Sequence, residues 1–144
     1  MTDYLWLVFA LLSAATASLV AIFGKLGLQG IDSNTATAVR AVIMAAFLVG
    51  VVVAQGKLSN LGAIFGSNKA MLFIVLSGVA GAVSWLFYFA ALKFGKVSQV
   101  APIDRLSMVF AMVLAALFLG EKIGLRVGLG AALMVAGAVI VTLG

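Results

Sequence analysis

Two short groups of residues carry the chemistry this chain has to offer. Asp104 and Arg105 are adjacent and are the only charges between Val97 and Leu119. Arg40 is likewise the only charge between Thr35 and Ala54. A carboxylate in a low-dielectric setting suits a proton or cation site, where it takes up and releases a proton or balances a positive charge. It suits equally a buried ion pair, here with Arg40, that holds helices in register. Neighbouring helical residues point about 100° apart, so Asp104 and Arg105 cannot both face one cavity. One addresses a site and the other a neighbouring helix or the interface. Pro102, just upstream, removes a backbone donor and leaves a carbonyl near residue 98 without its usual partner. It reads either as a proline of the first helical turn or as a kink beside Asp104.

Ser77, Gly81, Ser84 and Tyr88 follow one another at helical spacing, with Trp85 adjoining. That face either lets helices approach closely or lines a substrate path in which Ser84, Trp85 and Tyr88 offer hydroxyls and aromatic faces for stacking or cation–π contact. By residue count along the runs, Asp104 lies about 6 Å from the centre of its helix. Arg40, Thr16, Ser18, Ser84, Trp85 and Tyr88 come out near the same level. These residues form a candidate substrate- or ion-binding layer made up of Asp104, Arg40, Arg105, Ser84, Trp85 and Tyr88.

Other chemistries are missing. With no Cys and no His, the chain offers no thiol chemistry, disulfide or imidazole-ligated metal. There is no phosphate loop, no zinc-ligand set and no nucleophile–base pair. We therefore expect no catalytic residue, no metal, no cofactor and no enzyme.

The elements that must position this layer are membrane helices. The 144 residues are 65% hydrophobic and 9% charged, where a soluble domain needs about a quarter charged. Crossing a bilayer takes roughly 20 helical residues, which leaves room for five crossings and little else. The apolar runs put helices at about 4–23, 35–54, 70–92, 97–119 and 123–143, one all-α domain covering 1–144. The first run has no basic segment before it and is followed at once by another, so it reads as a retained helix and not a cleaved leader. Between Gln55 and Lys69 an apolar stretch too short to span reads as an interfacial turn or short surface helix. In the last run Gly124, Gly128, Ala132 and Ala136 recur at every fourth position, a stripe that lets helix backbones pack closely within one chain or between two.

The sequence pI near 10 comes from basic residues scattered singly over the loops. It speaks for topology and lipid contact, not nucleic acid. Lys57, Lys69, Lys122 and Arg126 fall on the side of the N-terminus; Lys25, Lys93, Lys96 and Arg40, near enough to snorkel, fall on the other. This four-to-four balance leaves two readings open, unique insertion despite weak bias, or insertion both ways followed by assembly of an antiparallel pair.

The stretch Val100–Lys122, with an Ala-Pro near the helix start, an apolar run ending in Leu-Gly-Glu and a Gly-rich last helix carrying Gly128 and Gly137, resembles the EamA-like half of the drug/metabolite transporter superfamily. Gly24-Lys25-Leu26-Gly27, Asp32-Ser33, Ala36-Thr37 with Arg40, Leu76-Ser77-Gly78, Ser84-Trp85 and Pro102-Ile103-Asp104-Arg105-Leu106-Ser107 resemble its small five-helix bacterial and archaeal branch. The resemblance covers nearly the whole chain. It implies half of a ten-helix inverted-repeat fold and transport of small organic metabolites or drugs by alternating access, as export, in a prokaryotic cell membrane. The partners expected are the lipid bilayer, a small-molecule substrate and a second copy of the chain, antiparallel or not, with no nucleic acid. The competing readings are a non-transporting membrane assembly subunit and a small ion channel.

Overall fold

The computed structural model describes residues 4–144, and the described residues form helices joined by short turns and loops, with no strand among them. In chain order the helices are α1 (Leu5–Gly27), α2 (Ser33–Ala54), α3 (Asn60–Phe65), α4 (Asn68–Phe94), α5 (Val97–Asp104), α6 (Ser107–Leu114) and α7 (Leu125–Leu143), with a π-helical turn at Ala115–Leu119. Five stretches are long and apolar enough to cross a membrane: α1, α2, α4, the composite Val97–Leu119, and α7.

Local chemistry sets the ends. Asp32 caps α2, its carboxylate accepting from the Thr35 N–H at 2.8 Å and the Thr35 hydroxyl at 3.0 Å. These bonds hold the exposed Asp32 carboxyl below its ordinary pKa. The Ser67 hydroxyl accepts from the Ala70 N–H at 3.3 Å at the start of α4. α1 runs on through Gly24-Lys25, where an end was expected near residue 23, and the Lys25 ammonium donates to the Gly95 carbonyl at 2.8 Å. Gly56 and Gly120 close their helices with φ of +67° and +69°, a region that disfavours side chains. The apolar stretch after Gln55 forms the short helix α3.

The chain divides into two compact units. One comprises the segment up to Lys25 with Phe94–Gly144. Here α7 packs on α5 and, more lightly, on α6, and Ala138 is buried. The other comprises Leu26–Lys93, in which Leu28, Ser33, Thr37, Phe89 and Leu92 are buried. Ser33, Thr37, Arg40 and Met44 recur at helical spacing and share one face of α2. Elsewhere large apolar side chains lie open in mid-helix, as Phe47 at 70%, Phe87 at 73% and Phe110 at 65% exposure. Water would not tolerate such surfaces on every helix, and hydrocarbon does.

The small-residue stripe of α7 is open. Ala132 and Ala136 are exposed, a Cβ added at Gly124 meets nothing within 4 Å, and one at Gly128 meets only the Ile123 side chain at 4.0 Å.

Candidate functional site

Within Leu26–Lys93 the longest side chain of α2 meets the aromatic end of α4. Arg40 is seven residues past Ser33, about 10 Å along the helix, and Trp85 is eight residues before Lys93, about 12 Å. The guanidinium carbon lies 3.5 Å from the Trp85 ring centroid and 4.6 Å from that of Phe89. Trp85 and Phe89 are stacked at 5.6 Å, and the Tyr88 ring stands edge-on to both, at 5.8 Å and 5.7 Å. Three rings within about one helical turn thus make a packed aromatic platform, and a guanidinium over such faces gains about 0.5–2 kcal/mol.

Arg40 turns inward on this platform. Its Nη2 lies 3.3 Å from the Met44 sulfur, one turn deeper in α2, so the head does not reach toward the near membrane face. A thioether is a weak acceptor. The other terminal nitrogen, Nη1, is enclosed and has no hydrogen-bond partner. The only carboxylate in this unit belongs to Asp32, which is engaged in capping α2.

The other unit holds Pro102, Asp104 and Arg105. Pro102 is the sixth residue of α5, inside the helix and past its first turn, and is half-buried. Lacking N–H, it cannot bond the Ser98 carbonyl. Asp104 is the last residue of α5 and is half-buried; Arg105 follows as the cap and is exposed. The ladder then tightens to bonds three residues apart: Leu106 N–H to Ile103 at 3.0 Å, Met108 to Arg105 at 3.1 Å and Val109 to Leu106 at 2.9 Å. The fourth span therefore keeps right-handed helical backbone through Arg105 and Leu106 but tightens directly after its acid. At its far end the Glu121 N–H reaches back to the Ala115 carbonyl at 3.4 Å around the π turn.

Residues 4–143 match the EamA-like transporter family. The chain belongs to that family. A bacterial relative from Sinorhizobium sp., named an uncharacterized transporter in the cobO 3' region, is 44% identical over 135 residues, covering 94% of each chain. No solved structure matches. Family and relative together identify a membrane transporter and point away from an enzyme.

In this EamA-like transporter the structure gathers Arg40, Trp85 and Tyr88 into one cluster and adds Phe89 and Met44, which sequence reasoning did not single out. Phe89 stands four residues after Trp85, and Met44 four after Arg40, so helical spacing from the two named residues would have found both. Ser84 is exposed, as is Ser77, and the inward face of α4 runs through Gly81, Trp85, Phe89 and Leu92 instead. Asp104 and Arg105 share the other unit with Pro102.

Proposed function

We propose that this EamA-family chain is one half of a carrier that moves small organic metabolites or drugs across a prokaryotic cell membrane by alternating access, as an exporter built from two five-helix copies. The observation that carries the reading is the irregular, tightened turn within the fourth span. Irregular backbone at membrane depth is tolerated where it is buried in protein or lines a watery cavity, and discontinuous helices are where carriers place substrate and coupling ions. Here the tightened turn immediately follows Asp104. Asp104 serves as the coupling or ion-binding group, and Arg40 with its aromatic platform serves the substrate.

Antiparallel pairing is part of the proposal, and loop charge supports it. With Arg40 turned inward, Lys57, Lys69, Lys122 and Arg126 stand against Lys25, Lys93 and Lys96, still close to balance. Such a pair reproduces in two chains the inverted halves of a ten-helix carrier.

Flux from proteoliposomes tests the function. Saturable, gradient-coupled movement of an organic solute is the expected result. Unsaturable electrogenic current would show a channel, and no flux, with a foreign five-helix protein co-purifying, would show an assembly subunit. Single cysteines at Lys57 and Lys93, in a chain with no native cysteine, test the pairing. Each should label from both membrane faces, and labelling of each from one face alone defeats the antiparallel arrangement.

A further inference from the structure

We infer that Arg40 is the receptor for an oxyanion, a carboxylate or phosphate carried by a small solute, so that this transporter selects organic anions or zwitterions and rejects simple cations. The inference rests on the proposed transport function and names the substrate class of the same site.

Three observations carry it. Arg40 lies inside a membrane span, where a charge requires a partner or a watery cavity. Within its unit no oxygen accepts from it: a guanidinium with five N–H donors has one directed at the Met44 sulfur, while Nη1 is enclosed without a partner. The unit also has no spare counter-charge, with four basic residues, Arg40, Lys57, Lys69 and Lys93, against the single acid Asp32.

The geometry fits reception better than anchoring. The guanidinium carbon lies 3.5 Å from the Trp85 ring centroid, and of the two terminal nitrogens Nη2 is held only by a weak acceptor while Nη1 awaits a partner. A planar fork of this kind matches carboxylate and phosphate oxygens, and a fork fixed in advance loses little freedom on binding. The Met44 thioether is a weak placeholder that an oxyanion displaces readily. A cation at this site would meet Arg40 at close range with no acid of the unit to offset it.

The test uses Trp85 as reporter. The chain has two tryptophans, so Trp6→Phe leaves Trp85 as the only one. The purified full-length protein in a phosphate-free maltoside detergent is titrated with three probes that share a body transparent in the ultraviolet: cyclohexylacetate, 2-cyclohexylethanol and 2-cyclohexylethylamine. We expect a saturable change in Trp85 emission, with the acetate binding at least about tenfold tighter than the alcohol and the amine not binding, as a charge-assisted contact implies. Arg40→Gln should reduce the acetate to the affinity of the alcohol. Arg40→Lys keeps the charge without the fork and should fall between; it decides the matter if Arg40→Gln does not fold. Equal binding of acetate and amine, or wild-type acetate affinity in either folded variant, overturns the inference. A soluble short-chain phosphatidylglycerol that alone saturates the signal and excludes the acetate assigns the site to lipid phosphate and also overturns it. The same probes loaded into proteoliposomes separate the two claims. Acetate binding without flux of any solute keeps this inference and defeats the transport function. Flux of the amine without acetate binding does the reverse.

Discussion

The two units hold their membrane-embedded charges in opposite ways. In Leu26–Lys93 the backbone around Arg40 is regular helix, and the side chain is fixed by three aromatic rings and a sulfur. In the unit that includes Phe94–Gly144, Asp104 makes no such ring contact but ends a helix, and the backbone itself changes hydrogen-bonding pattern beside it. A cation held over stacked rings is suited to recognising a ligand, because less side-chain freedom is lost on binding. A carboxylate beside a tightened turn is suited to a step in which local backbone and solvent access change. On the proposed transport function, the contrast would place recognition in one unit and coupling in the other.

Replacing either charge gives the largest expected effect. Arg40→Gln and Asp104→Asn should each lower coupled flux by roughly 10- to 100-fold, the scale of one lost charge-assisted contact. They should differ in kind: Arg40→Gln weakens half-saturation by the solute, and Asp104→Asn removes dependence on the driving gradient while solute binding persists. Loss of the same parameter in both would erase the division. Trp85→Ala comes next. It removes the ring beneath the guanidinium at a cost of about 0.5–2 kcal/mol, and solute affinity should drop several-fold with gradient dependence unchanged. Lys25→Met should lower thermal stability by about 1 kcal/mol through loss of the bond to the Gly95 carbonyl, with faster amide exchange near Gly95 and substrate selectivity unchanged.

The smallest effect concerns Asp32. Its carboxyl is held below its ordinary pKa by the Thr35 backbone and hydroxyl, so the folded cap favours the ionised form. The stability it contributes is present above the unfolded pKa, about 4, and is lost as pH falls through the lower folded value. Amide exchange at Thr35 should rise at acid pH in the wild type, and Asp32→Asn, which keeps a cap, should flatten that dependence.

Much of this was legible from residue types alone. The five spans follow from apolar runs of membrane length, and the start of α2 follows from Asp32 and Thr35. Arg40 and Asp104 stand out as charges isolated within such runs. Side-chain direction was harder to read. α4 is apolar nearly all round, so periodicity gave no reason to prefer the Trp85–Phe89 face over the Ser77–Ser84 face, and the serines proved exposed. Arg40 lay near enough to the membrane surface to suggest snorkelling, but the rings of a helix distant in sequence draw it inward. The π turn at Ala115–Leu119 sits in a uniform run of small and apolar residues with no local marker except Gly120. The stripe from Gly124 to Ala136 signalled close packing without naming its partner, and that face is open in this chain.

If the embedded charges serve transport and do not hold the fold together, the thermal stability of Arg40→Met, read beside its flux, will show it. Methionine keeps an apolar stem against Trp85 and removes a charge whose place in a span costs about 2.5–3.5 kcal/mol, more than the cation–π contact returns. The melting temperature should equal or exceed that of the wild type, with flux lost. If Arg40 is instead the structural partner of Asp104, the variant leaves a buried carboxylate unpaired, which costs about 3–5 kcal/mol. A melting temperature that collapses in Arg40→Met and recovers when Asp104→Asn is added would contradict the claim.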